Sequence, residues 1–179
     1  MKKVISLLLV LCMILSLSAC GKKESNEAED YGDNDVITVP ASYIGEGVTQ
    51  ESLDASAGAS YISAKLNSDG SVTYVMTGEQ HKNMLDGMAS SMDALMQSMI
   101  DDDKYTFTEI KHNDDFSQFD VTVSGDDLEY TDSLTAVTFY MYGGMYGIFS
   151  GKQAEKIVVN FYNANGELIS TADSSKTGN

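Results

Sequence analysis

Three stretches of this chain alternate apolar and polar residues around a turn-forming cluster, and that pattern commits much of it to β-hairpins. Ile62, Ala64 and Leu66 alternate before Asn67-Ser68-Asp69-Gly70, and Val72-Thr73-Tyr74-Val75-Met76 follows. A second pair, 105–111 and 116–123, flanks Asn113-Asp114-Asp115, with Phe119, Val121 and Val123 sharing one face of the return strand. The third, 157–162 and 167–171, flanks Asn165-Gly166, the strongest hairpin dipeptide present. An earlier strand over 36–43 carries the only proline, Pro40, a residue that favours a sheet edge.

Helical spacing fills the gaps between hairpins. Thr77-Gly78-Glu79-Gln80 reads as a capping box opening a helix to about Ile100. Along it Met84, Leu85, Met88, Met92, Leu95, Met96 and Met99 recur at i+3/i+4, an amphipathic stripe. A second long helix is expected over 133–150 with Gly151 as its stop, and a short one over 50–57. The expected order is β-α-ββ-α-ββ-α-ββ. It predicts an α+β fold, a largely antiparallel sheet built from hairpins with the two long helices packed on one face.

The amino terminus carries a different signal. Lys2 and Lys3 precede an uncharged, Leu-rich stretch over 4–17, too short to span a bilayer of ~30 Å as a helix. It ends in Leu17-Ser18-Ala19-Cys20-Gly21, which resembles the lipobox of bacterial lipoproteins. The resemblance implies removal of 1–19 and a thioether-linked diacylglyceryl group on Cys20. Two acyl chains, at ~0.8 kcal/mol per buried methylene, give a stable anchor. The competing reading is an ordinary secretory signal cut near Ala19. Residues 20–35 read as an acidic flexible tether, 36–173 as a single globular domain and 174–179 as a disordered tail. Short acidic tether, first strand with Ile37-Thr38-Val39-Pro40 and Tyr/Met/Gly-rich late helix together resemble small surface lipoproteins of Gram-positive bacteria. The expected location is the extracytoplasmic face of the cell membrane.

Composition narrows the function. The formal net charge is −16, and all eleven basic residues are Lys, so no guanidinium can grip phosphate in bidentate fashion. Nucleic acid is therefore not an expected partner. Cys12 falls in the signal and Cys20 bears the lipid, which leaves the domain no thiol for a disulfide, a metal or a nucleophile. Acidic runs at Asp101–Asp103, Asp114-Asp115 and Asp126-Asp127 lack the alternating calcium loop and read as solvated tips.

Two features invite more than a packing role. Met84 and Met88, with His81 one turn earlier, are candidate soft ligands for Cu(I), though core packing of the stripe is the plainer reading and an adaptable groove a third. The late helix carries Tyr140, Tyr142 and Tyr146, a candidate ligand or partner surface. Its glycines, Gly143, Gly147 and Gly151, predict close approach to a neighbour. That helix is too rich in glycine and hydroxyls for a membrane span. Catalytic motifs are missing, and no cofactor is expected. The expected function is a lipid-anchored, non-enzymatic binding or interaction module. The alternatives are a small-molecule or metal-binding lipoprotein serving an uptake system, and a hydrolase built on His81 or His112 with Ser and Asp.

Overall fold

A computed structural model describes residues 31–176. The lipobox, Cys20 and most of the expected tether lie outside them. The fold is α+β, with three α-helices and seven strands among the described residues. In chain order these are β1 (Asp35–Val39), α1 (Gln50–Ser56), β2 (Ser63–Leu66), β3 (Val72–Met76), α2 (Gly78–Ile100), β4 (Phe107–His112), β5 (Gln118–Val123), α3 (Tyr130–Ser150), β6 (Val158–Tyr162) and β7 (Leu168–Asp173). The expected order of elements holds throughout. The expected single sheet does not.

There are two sheets. One is three-stranded and antiparallel in the order β1-β3-β2; the other is four-stranded in the order β4-β5-β6-β7. In the second sheet the hairpins β4-β5 and β6-β7 lie side by side through a parallel β5–β6 pair. A parallel join needs a long crossover, and α3 supplies it. Hairpin signals are local, whereas the choice of which hairpin pairs with which is not. The expectation of one hairpin-built sheet failed on that point.

Contacts likewise gather into two compact units where the sequence suggests a single domain over 36–173. The first ends at Met84 and the second begins at Leu85, so the division falls within α2. In the first unit Val39, Val72 and Met76 are fully buried, and Tyr61 donates from its hydroxyl to Leu53 O at 2.7 Å. Thr49 caps α1 with a capping box to Ser52. From that helix Gln50 reaches the outer edge of β2, donating to Ala64 O at 2.7 Å and accepting from Leu66 N at 2.9 Å. Its side-chain amide thus satisfies backbone groups that an edge strand otherwise leaves open. The box predicted at Thr77 is present: Gln80 N donates to Thr77 Oγ1 at 3.1 Å and Thr77 N to Gln80 Oε1 at 3.0 Å. Pro40 follows the last residue of edge strand β1.

The second unit holds one core. Met92, Met96 and Met99 of α2 meet Phe119, Val121 and Val123 of β5, Val159 and Phe161 of β6, and Ala136 and Phe139 of α3. The lower methionine stripe is core. The opposite face of the sheet is polar, with Asn160 donating to Asp120 at 2.9 Å across the parallel seam and Thr171 donating to Asn160 at 3.0 Å.

Several boundaries shift: the strand expected over 36–43 ends at Val39, before Pro40, and Ala41–Tyr43 form a 3-10 turn. Asp35, expected in the tether, opens β1, and Ser174–Lys176, expected in the tail, form a 3-10 turn whose Ser174 hydroxyl accepts from Ile157 N at 2.8 Å. Helix α3 also begins earlier than predicted, at Tyr130. Its first turn tucks Asp132 completely out of solvent, where Thr106 donates to it from both its amide and its hydroxyl. A buried carboxylate needs such donors, and its place near a helix N-terminus adds a favourable dipole.

Asp173, at the end of β7, is the other buried acid. The Ser175 hydroxyl, the Lys156 ammonium at 3.0 Å and the Ser175 amide lower its pKa from the ordinary 3.8 to about 2. A carboxyl whose folded pKa is depressed stabilises the fold above its unfolded value and loses that contribution as pH falls through the folded one. The urea midpoint is therefore expected to drop between about pH 4 and pH 2. Asp173→Asn should flatten part of that drop, and an unchanged acid slope would contradict the assignment.

Candidate functional site

Helix α3 concentrates the features that composition and spacing singled out, and the structure gives its two sides different work. The inner side meets the β4-β5 turn. That turn follows a pattern shared by all three hairpins: Asn67-Ser68-Asp69-Gly70-Ser71, Asn113-Asp114-Asp115-Phe116-Ser117 and Asn163-Ala164-Asn165-Gly166-Glu167. In each, the amide of the fourth residue donates to the carbonyl of the first, at 3.0, 3.2 and 2.9 Å. The fourth residue has positive φ, which suits Gly70 at 83° and Gly166 at 79°. In the middle turn that slot holds Phe116, at φ 55°, the only non-glycine residue with positive φ among those described.

A bulky residue there is strained, and packing holds it in place. Phe116 is 1% exposed. His112 stacks on its ring at 4.1 Å between centroids, and the Tyr146 ring lies 4.6 Å from it. Phe119 and Tyr142 approach at 6.2 Å each. His112 is fixed at both nitrogens: Nδ1 lies 2.7 Å from Asn113 O and Nε2 lies 3.1 Å from the Asp93 carboxylate.

Glycines on α3 make room for this turn. A Cβ on Gly143 would stand 2.2 Å from Phe116 O and 3.1 Å from Ile157 Cδ1. At Gly147 it would meet Gln153 Cα at 3.2 Å, in the chain that leaves the helix. Gly151 adopts φ 67° and ends the helix in a left-handed cap. The regular spacing thus serves two close approaches and one helix cap.

Two of the three candidate tyrosines are likewise engaged. Tyr142 donates to Met88 O, and burial pushes its phenol up to about 12, with the Asp93 charge adding to the rise and the Ser91 hydroxyl opposing it. Tyr146 covers Phe116. Tyr140 points elsewhere, two residues and about 200° around the helix from Tyr142. Its hydroxyl is buried without a hydrogen-bond partner among the described residues, and burial together with the Asp173 charge raises its pKa. The structure brings Tyr142 and Tyr146 together and leaves Tyr140 apart. Of the candidate soft ligands, His81 Nδ1 sits 3.0 Å from Asp35 Oδ2, while Met84 and Met88 are half-buried on α2. Among the described residues no three His, Cys, Asp or Glu side chains converge as a metal site. No described helix is long and apolar enough to cross a membrane.

The outer side of α3 is the surface that sequence reasoning missed. Tyr130, Leu134, Val137 and Met141 are 78, 52, 52 and 50% exposed. Their spacing of four, three and four puts them on one face, with Leu134 about 180° around the helix from Gly143. Reading the helix from Tyr130 and taking the glycines as the inner side would have found this row. Single exposed apolar residues are ordinary, but an aligned row of four on one helix is a patch.

These features define an α+β protein whose most distinctive surface is an apolar helix face on the side of α3 opposite a strained aromatic turn. No protein-family model, no curated protein and no solved structure matches the chain.

Proposed function

We propose that this chain is a lipid-anchored, extracytoplasmic interaction module that performs no catalysis. The observation that carries the interaction half is the exposed row on α3, which offers a partner apolar area and no reacting group. The anchoring half rests on Leu17-Ser18-Ala19-Cys20 and the short acidic stretch behind it. A diacylglyceryl group on Cys20 holds the module at the membrane, and the acidic stretch keeps it clear of the lipid surface. No cofactor enters this reading. A surface with no arginine and an acidic balance disfavours nucleic acid as the partner.

Intact mass of the chain from bacterial membranes tests the anchor. The mature protein should begin at Cys20 and carry the diacylglyceryl adduct, and Cys20→Ser should move it out of the membrane fraction. An unmodified wild-type chain in the soluble fraction overturns the anchor.

A further inference from the structure

We propose that the outer face of α3 is an interface between two copies of this chain, paired antiparallel about a two-fold axis between Val137 and Met141. The arrangement of charge along the helix argues for it. From Ser133 to Gly151 there is no charged residue, in a chain of net charge −16. Two copies that meet along this strip bring no like charges together. Beyond the strip one end is acidic and the other close to neutral. Exposed Asp126, Asp127 and Glu129 precede it, while Lys152 follows it with Glu155 and with Lys156, whose ammonium pairs with Asp173 at 3.0 Å.

Only one orientation is self-complementary. Antiparallel pairing sets the three acids of each copy beside the lysine-bearing end of the other, and opposes the two helix dipoles favourably. Parallel pairing would set acids against acids. With the axis between Val137 and Met141, Tyr130 falls opposite Ile148 and Leu134 within one position of Met145, the isologous pattern a two-fold requires. An anionic membrane suits the face less well, because the helix offers it no lysine along the row and acids at one end.

Area sets the strength. A helix of 21 residues is about 31 Å long, and a strip about 10 Å wide buries about 300 Å² per copy. A stable interface needs about 800 Å² per partner, so this pairing is reversible and gains from confinement in a membrane plane. In that respect it rests on the anchoring proposed above.

Cysteine cross-linking of the full chain reads the geometry directly, since the described residues contain no cysteine. Differently tagged chains carrying Tyr130→Cys and Ile148→Cys are co-expressed and oxidised with copper-phenanthroline in air, beside the unsubstituted chain as background. The mixed pair is expected to cross-link about tenfold more than Tyr130→Cys with itself, a difference of about 1.4 kcal/mol. Val137→Glu added to both chains should abolish the band without changing the circular dichroism, because Val137 is half exposed. A Tyr130→Cys self-pair, a band that survives Val137→Glu, or no band at all overturns the proposal. Occupation of the row by lipid or an unrelated protein gives the last of these. The oxidation is run on the chain in whichever fraction holds it. Loss of cross-linking in a membrane-bound chain therefore sinks the pairing alone, and a soluble, unlipidated chain sinks the anchor.

Discussion

Phe116→Ala is expected to destabilise the second unit by about 4 kcal/mol, and Phe116→Gly by only about 3. Both remove a completely buried ring that His112, Phe119, Tyr142 and Tyr146 surround. They differ because the position has φ 55°, which alanine resists and glycine adopts freely. At most buried sites glycine is the worse replacement, so reversal of that order reports the strain itself. Urea unfolding of the two variants measures it, and an alanine variant as stable as the glycine one contradicts the account.

Gly143→Ala should cost about 3 kcal/mol or prevent folding, although alanine is the better helix former by about 1 kcal/mol. The added methyl would lie 2.2 Å from a backbone oxygen, that of Phe116, and backbone yields less than the tip of a side chain. Phe116 cannot retreat, because it is already held at positive φ under the aromatic cluster. Gly147→Ala is the internal control. Its nearest atom is 3.2 Å away in a connecting segment, and the same urea assay should show a loss of about 1 kcal/mol or less. Equal losses at the two glycines would mean that helix position, and not the turn beneath Gly143, sets the cost.

Each α-helix and strand was legible because its signal is local, while the 3-10 turns at Ala41–Tyr43 and Ser174–Lys176 were not. The turn at Asn165-Gly166, the capping box at Thr77 and the stripe through Met92, Met96 and Met99 each depend on residues within a few positions of one another. Division into two sheets was not legible, since the pairing of β5 with β6 joins Asp120 to Asn160, 40 positions on. The site was half legible. Glycine spacing announced a close approach on α3, but the tightest one, at Gly143, is to a carbonyl in a turn, and no periodicity points to that. Phe116 could have been found by laying the three turns over one another, which puts it in the place of Gly70 and Gly166. Asp132 gave no warning of burial, because an acid in the first turn of a helix is ordinary on the surface.

The parallel seam between β5 and β6 also bears on the order of events during folding. Hairpins β4-β5 and β6-β7 close over short turns and form quickly, yet a lone hairpin in water is marginal. Neither gains its permanent neighbour until α3 has carried the chain back across the sheet. Closing that long loop is the slow, costly contact, so the two halves are expected to form early and unite late. Until they do, the facing backbone edges of β5 and β6 stand unpaired, and for that interval this acidic chain depends on its own charge repulsion to keep copies from joining edge to edge.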